Sequence, residues 1–167
     1  MSYQLYTLNM KNILFCFMFS ILPFGSIYSQ DAHLKEVQYA LIAEGIDSPI
    51  PNLQIVCFNK YFNQDYLPKE FREKYNLDEK GLYKNQMLIE IFYTDTDNKG
   101  VDTIDLIKIK ENTTTLVIEY NLVNRDKSND DTALSPFLIV QVPKTKKAIK
   151  FIADGIELGK ETALYVD

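Results

Sequence analysis

The residues most able to do chemistry lie in one acidic stretch, "DTDNKGVD", which runs from Asp95 to Asp102. Acidic residues at its first and third positions and Gly100 at its sixth resemble the start of a calcium loop, in which oxygen ligands surround the ion. However, Lys99 stands at the fifth position, where an oxygen ligand belongs, and Leu106 stands at the twelfth, where a bidentate Glu belongs. The stretch therefore favours a polar hairpin loop in which Gly100 supplies a positive φ angle, and no metal site is predicted.

Asp95 and Asp97 could also form the carboxylate pair of a hydrolase. General acid–base catalysis needs one carboxyl group with a raised pKa in a cleft, and two acids on an exposed loop would not have this environment. A nucleophilic pair is conceivable between Cys57 and the single histidine, His33. Cys57 lies in the apolar run "LQIVCF", where a cysteine behaves as a small apolar residue, so we expect a structural thiol. No catalytic residue and no cofactor are predicted.

The segment "MKNILFCFMFSILPFGSIYSQ" (Met10–Gln30) has the layout of a secretory signal peptide. It begins with Lys11, the only charge before Asp31, continues with an apolar run and ends in small residues. The apolar run is shorter than the roughly 20 residues that a membrane-spanning helix needs. We therefore expect a signal peptide at residues 1–29, with translation starting at Met10. The mature chain would be one domain, 30–167, that is periplasmic or secreted, bacterial, and without a stable membrane span.

The composition of the chain argues against a nucleic-acid partner and against stabilisation by a disulfide. The 18 basic and 23 acidic residues give a formal net charge of −5, and no basic stripe interrupts the acidic balance. A protein that binds nucleic acid would need such a stripe to neutralise phosphates, so no nucleic-acid partner is expected. After removal of the signal peptide only Cys57 remains of the two cysteines. No internal disulfide can form, and the apolar core must hold the fold together.

The secondary-structure elements that must position the candidate site residues are predicted to be mostly strands. Alternating or continuous runs of β-branched and aromatic residues predict a mainly β (α+β) fold, an antiparallel sheet or sandwich of about eight strands. "DYLPKEFREKYNL" (Asp65–Leu77) is rich in helix formers and predicts one short helix, with Pro68 in its first turn. The predicted strands are Glu36–Gly45, Leu53–Phe58, Gln86–Thr94, Ile104–Asn112, Thr114–Val123, Phe137–Lys144, Ala148–Ala153 and Thr162–Val166.

Several aromatic residues precede the predicted helix. Tyr61, Phe62 and Tyr66 could form a patch that binds a partner, but aromatic side chains more often cover one face of a sheet, so we favour a role in the core. The longest polar stretch, Asn124–Ser135, lies between two predicted strands, and loops of that length are usually functional or mobile.

The order of these elements resembles the PrcB-like family of secreted, protease-complex-subunit domains over about residues 41–152. The most specific piece is "SPFLIVQVPKTKKAIKF" (Ser135–Phe151), which combines Ser-Pro, an apolar strand, Pro-Lys and a final β segment. The family typically carries a Thr-Gly-Gly-Tyr turn, and of the corresponding turn Asn98–Asp102 only Gly100 matches. The resemblance implies a non-catalytic exported domain that accompanies or modulates a protease. It supplies no catalytic residue, and the altered turn implies a changed or lost partner if that turn makes the contact.

The sequence as a whole favours an exported, non-catalytic binding domain. Its expected partner is another exported protein, with a protease as the first candidate, and contact is expected through loops. A purely structural envelope protein is the main alternative, and a hydrolase that uses the carboxylate pair is the weaker one. The predicted contact residues are Asn98, Lys99, Gly100, Asp102, Lys127, Asn129 and Asp130.

Overall fold

The computed structural model describes residues 34–159 and the backbone of the strand Ala163–Val166. The predicted signal peptide, the start at Met10 and the histidine His33 lie outside these residues. Within the described part of the chain there are two five-stranded sheets and two short α-helices, which confirms the mainly β fold.

The secondary structure follows the predicted order with local differences. The helices are α1 (Tyr61–Tyr66) and α2 (Lys69–Lys74), and single 3-10 turns lie at Lys80–Tyr83 and Lys127–Asn129. The strands are β1 (Lys35–Glu36), β2 (Ala40–Gly45), β3 (Leu53–Cys57), β4 (Gln86–Phe92), β5 (Thr103–Glu111), β6 (Thr115–Val123), β7 (Phe137–Pro143), β8 (Ala148–Ala153), β9 (Ile156–Glu157) and β10 (Ala163–Val166).

The strands divide into two sheets that are mostly antiparallel. The first sheet has the order β1-β5-β6-β8-β9, and the second has the order β10-β3-β4-β7-β2. Two pairs are parallel, β6 with β8 and β10 with β3. Sequence-adjacent strands pair at β5–β6 and at β3–β4, whereas β2 pairs with the distant β7.

One apolar core lies between the two sheets. It draws on alternate positions of β4 and β7 in the second sheet and on the inward positions of β5, β6 and β8 in the first. Burying one such aliphatic side chain is worth about 1.5–3 kcal/mol, so this layer supplies much of the driving force for folding. Its members include Met87, Ile89, Ile91, Leu138, Val140, Val142, Ile104, Ile109, Leu116, Ile118, Tyr120 and Phe151.

A second core covers the opposite face of the second sheet. Phe62 of α1, Phe71 of α2 and Tyr83 of the first 3-10 turn pack there against Leu88 and Phe92 of β4. Strands β3, β4 and β7 are therefore buried on both faces. This explains the almost continuous apolar sequence of β7, which is typical of a central strand.

The single predicted helix is in fact two helices, separated at Leu67 and Pro68. Proline disfavours the helical conformation in the residue before it, and Leu67 is extended with φ −97° and ψ 138°. Pro68 is the N-cap residue of α2 rather than a member of its first turn. Only the last two residues of α1 lie within the predicted range Asp65–Leu77, because six residues are too few to show helical periodicity.

The hairpin predicted around Asp95–Asp102 is also wrong. β4 pairs with β3 and β7, whereas β5 pairs with β1 and β6, so the segment between them joins two different sheets. A true hairpin does connect β5 and β6 after Glu111, where the side chain of Asn112 accepts hydrogen bonds from the backbone N–H groups of Thr114 and Thr115. Among the described residues, no helix has the length and apolar character required to cross a membrane.

Candidate functional site

The two loops predicted to contact a partner lie together at one end of the sandwich. Residues 93–102 lead from β4 into β5, and residues 124–136 lead from β6 into β7, so both loops pass from one sheet to the other. They leave from adjacent positions, because Phe92 pairs with Phe137 and Thr103 pairs with Val123. We refer to these two segments as the paired loops.

The carboxylate of Asp102 binds one loop to the other. Its Oδ1 accepts a hydrogen bond from the backbone N–H of Arg125 at 3.0 Å, and its Oδ2 accepts one from that of Asp126 at 2.8 Å. The side-chain amide of Asn129 also donates to Oδ2, at 3.1 Å. Desolvation opposes ionisation of Asp102, but the hydrogen bonds from Arg125 and Asp126 outweigh it and lower its pKa to about 2. The negative charge that holds the loops together therefore persists at all physiological pH values.

Gly100 allows the two loops to approach closely. Its φ angle is +68°, and a Cβ atom at this position would lie 2.3 Å from the backbone oxygen of Asn129. The expectation that Gly100 supplies a positive φ angle is thus confirmed, and the contact adds a steric reason for glycine. Nearby, the side-chain amide of Asn124 donates to the backbone oxygen of Lys99 at 3.0 Å and to Asp130 Oδ1 at 2.6 Å.

The predicted contact residues divide into two groups. Asn98, Lys99, Lys127 and Asp130 are exposed, whereas Gly100 is buried and Asp102 and Asn129 are half-buried. Lys99 forms an exposed ion pair with Asp97 at 2.6 Å. The structure therefore places the first group where a partner can reach it, while the second group maintains the shape of the loops.

Asp95 and Asp97 occupy different environments. Asp95 had been expected on an exposed loop, but it is fully buried, and its Oδ2 accepts a hydrogen bond from the backbone N–H of Val101 at 3.0 Å. Its own N–H donates to the backbone oxygen of Leu134 in the other loop at 2.8 Å. Asp97 extends into solvent. One carboxyl group is thus buried and the other is exposed, and they do not form the exposed pair that the sequence had offered.

The carboxylates of the paired loops also differ from a calcium cage. Asp95 and Asp102 already accept hydrogen bonds from backbone N–H groups, and Asp97 pairs with Lys99. Within residues 34–159, no group of three or more His, Cys, Asp or Glu side chains is arranged to hold a metal ion.

A buried polar cluster lies beneath the helices, and it was not foreseen. The side-chain amide of Asn63, in α1, donates to Glu90 Oε1 at 2.8 Å and to the hydroxyl oxygen of Tyr83 at 3.1 Å. Tyr83 donates in turn to the backbone oxygen of Leu77, and the Cys57 thiol donates to Asn63 Oδ1 over 3.9 Å. Glu90 Oε2 is buried without a hydrogen-bond partner. The sequence held one signal of this cluster, an acidic residue inside the apolar run "MLIEIF" of β4.

Burial controls the protonation of the cluster. Desolvation raises the pKa of Glu90 to about 7, although hydrogen bonds from Asn63 and Cys57 act in the opposite direction. Desolvation and the neighbouring Glu90 raise the pKa of the Cys57 thiol far above its usual range. A protonated thiol is a poor nucleophile, and Cys57 is fully buried, as a structural thiol would be.

The aromatic residues before the predicted helix serve two purposes. Phe62 is buried in the second core, as favoured from the sequence. Tyr61 and Tyr66 are exposed, at 60% and 65% of their surface, and Tyr66 stacks on the ring of Phe62. The core interpretation therefore holds for only one of the three residues.

No protein-family model, curated protein or solved structure gave a match to this chain.

Proposed function

We propose that the chain is an exported, non-catalytic binding domain whose partner is another exported protein. The contact surface consists of the exposed side chains on the paired loops, chiefly Asn98, Lys99, Lys127 and Asp130. The single observation that supports this assignment most directly is the set of hydrogen bonds from both loops to Asp102.

These hydrogen bonds matter because ordering a loop on binding costs free energy. Each side chain that is immobilised at an interface costs about 0.5–1.5 kcal/mol, so a surface that is ordered beforehand retains more of its contact energy. In the paired loops, Asp95 and Asp102 fix the backbone by accepting hydrogen bonds from its N–H groups, and the exposed side chains remain available to contact a partner. A rigid sandwich that presents ordered loops at one end is a frequent arrangement in binding domains.

A protease is the first partner to test. The resemblance of residues 41–152 to PrcB-like domains supports this choice, and Gly100 is the one residue of the paired loops that corresponds to the family's turn. Since the second glycine and the tyrosine of that turn are absent, the partner would have to recognise the exposed charges of Lys99 and Lys127 instead.

The test is affinity capture of partners from the cell-envelope fraction with tagged parent protein and a Lys99→Glu/Lys127→Glu variant. Neither ammonium group supports the hydrogen bonds of Asp102, so the variant should melt within a few degrees of the parent. We expect the parent to recover a defined partner together with inhibitor-sensitive proteolytic activity. The variant should recover at least ten-fold less, because charge reversal at a contact opposes association.

A Lys35→Glu/Lys146→Glu variant is the matched control, because it changes the net charge equally at exposed lysines outside the paired loops. It should recover as much partner as the parent. Equal losses in both variants would indicate general charge repulsion, and equal recovery by all three proteins would move the contact surface elsewhere. If no protein is captured by any of them, the structural-envelope alternative is favoured. Gly100 is unsuitable for this test, because any side chain there would collide with Asn129 and alter the loops themselves.

A further inference from the structure

A cavity of about 460 Å³ lies at the opposite end of the second sheet from the paired loops. Its walls come from the segment after β3, from the first 3-10 turn and from the residue after β7. The ends of β4 and β7 establish this location, because Gln86 pairs with Pro143 at the cavity end and Phe92 pairs with Phe137 at the loop end. Its volume falls within the range of about 300–1,000 Å³ that is usual for small-molecule sites.

The cavity is strongly basic in an otherwise acidic chain. Four lysines line it, and neither Asp nor Glu occurs among its lining residues: Lys60, Lys80, Lys84 and Lys144. Within residues 34–159, these four lysines form no ion pair, whereas lysines elsewhere do, for example Lys108 with Glu119 at 2.6 Å and Lys147 with Glu111 at 2.7 Å. Four positive charges without an ion-pair partner among the described residues repel each other around one cavity, and an anion bound among them would relieve that repulsion.

The remaining walls are largely aromatic, and one of the aromatic rings is firmly anchored. Phe58 and Tyr61 lie on one side, and Tyr83 lies on another. Two hydrogen bonds fix Tyr83, one accepted from Asn63 at 3.1 Å and one donated to Leu77 at 3.0 Å. Tyr61 is 60% exposed, which leaves surface of this residue available to pack against a ligand. These walls suit an apolar or planar body attached to the anionic group.

We propose that this cavity binds a small organic anion, one that carries at least two negative charges on an aromatic or apolar body. The lysine ammonium groups hold the charged end, as lysine does for phosphate, and the rings of Phe58, Tyr61 and Tyr83 contact the body. The site is separate from the paired loops, so its occupation does not depend on the proposed function.

The test uses isothermal titration calorimetry of the purified chain with three probes. 1-Naphthyl phosphate combines both features, inorganic phosphate supplies the charge alone, and 1-naphthol supplies the ring system alone. We expect saturable binding of 1-naphthyl phosphate that weakens as salt is added. Inorganic phosphate should bind at least ten-fold more weakly, and 1-naphthol should give no saturable binding.

Variants then locate the site. Lys80→Gln/Lys84→Gln should weaken 1-naphthyl phosphate binding at least ten-fold. Lys35→Gln/Lys110→Gln is the matched control, because it removes the same charge from lysines on the first sheet that form no ion pair within the described residues, and it should leave binding within two-fold. Tyr61→Ala should weaken 1-naphthyl phosphate several-fold and leave inorganic phosphate unchanged.

Four outcomes would overturn the proposal. The first is that neither 1-naphthyl phosphate nor inorganic phosphate shows saturable binding, and the second is that both lysine variants lose affinity equally. The third is that 1-naphthol binds as tightly as 1-naphthyl phosphate. The fourth is that a hexaglutamate peptide binds more tightly than 1-naphthyl phosphate. The last result would assign the lysines to an acidic protein segment instead. None of these results bears on partner capture by Lys99 and Lys127, so failure here is distinguishable from failure of the proposed function.

Discussion

The strand β4 lies between two cores that are equally buried but differ in chemistry: the core between the two sheets and the core beneath the helices. Toward the first sheet it presents Met87, Ile89 and Ile91, which belong to the core between the two sheets. Toward the helices it presents Leu88 and Phe92 with Glu90 between them, and Glu90 joins a network of hydrogen bonds. All these side chains are inaccessible to solvent. Burial alone therefore does not determine how a face contributes to stability, because the face toward the helices contains a carboxyl group whose protonation changes with pH.

The largest effect should come from placing a charge in the core between the two sheets. Val140 of β7 lies in that core and is almost fully buried, so Val140→Asp would bury an unpaired carboxylate. The cost should be several kcal/mol, a large part of the roughly 5–15 kcal/mol that stabilises an ordinary domain. We expect loss of cooperative thermal unfolding by circular dichroism. Val140→Ala is the control, and it should still fold after losing about 2–3 kcal/mol. A Val140→Asp protein that melts within a few degrees of the parent would contradict the assignment of β7 to this core.

On the opposite face, stability should depend on pH through Glu90. Its folded-state pKa of about 7 lies above the ordinary value of 4.5, so the folded state favours the protonated form. The contribution of Glu90 is fully present below pH 4.5 and is lost as the pH rises through about 7, in total about 3 kcal/mol. Glu90→Gln should abolish this loss and be more stable than the parent above pH 7. Urea unfolding at a series of pH values measures the difference.

The control for this titration is Glu44→Gln, which neutralises an exposed carboxylate on β2. Its stability should follow that of the parent across the same pH range. If the difference between the parent and Glu90→Gln were the same at every pH, Glu90 would not be the group that titrates.

A smaller effect should follow from removing the donor that connects the network. Asn63→Ala would leave Glu90 Oε1 and the Tyr83 hydroxyl oxygen without the amide that donates to both. An unsatisfied buried polar group costs about 1–3 kcal/mol, and the pKa of Glu90 should rise further, because the lost hydrogen bond lowers it. Chemical unfolding at pH 5 and pH 8 would show a larger loss at pH 8. Gln64→Ala, at the adjacent position of α1, should cost less at both pH values.

The smallest effect should be that of Cys57. In a Cys16→Ser background, a thiol reagent should label native protein slowly and denatured protein rapidly, because the thiol is buried and its pKa is raised. Cys57→Ala should cost about 1 kcal/mol, since it removes only a weak hydrogen bond and one buried atom. Rapid labelling of the native protein at neutral pH would show that the helix-covered face opens far more easily than the sandwich face.

The positions of individual strands could be predicted from the sequence, because they depend on the local pattern of apolar and polar residues. The β-branched run of β5 and the continuous apolar run of β7 placed both strands within one or two residues. The predicted alternation of β5 is wrong at Ile107, which is exposed, because the register shifts between Leu106 and Lys108. Pairing is not local. Nothing in β2 indicates that it joins β7, and the segment after β4 has the composition of a hairpin loop although it connects two sheets.

The candidate sites were predictable to the same extent: their individual residues could be identified from the sequence, but the contacts between distant residues could not. Gly100 and the charges of the paired loops were visible in the sequence, but their connection through Asp102 depends on contacts with residues 23–27 positions away. Glu90 was visible as an acid in an apolar strand, whereas its partner Asn63 lies 27 positions earlier, in the part of α1 that precedes the predicted helix. The four lysines of the cavity come from three separate segments and share no spacing that a sequence pattern could reveal.

The link between the paired loops also restricts how this surface can evolve. An insertion between Gly100 and Asp102 would displace Asp102 from the N–H groups of Arg125 and Asp126, so a change of length there must be matched by a change in the other loop. Substitutions at Lys99 and Lys127 carry no such requirement. We therefore expect a lineage of such proteins to acquire new partners by exchanging side chains on a fixed backbone, and only rarely by lengthening either loop.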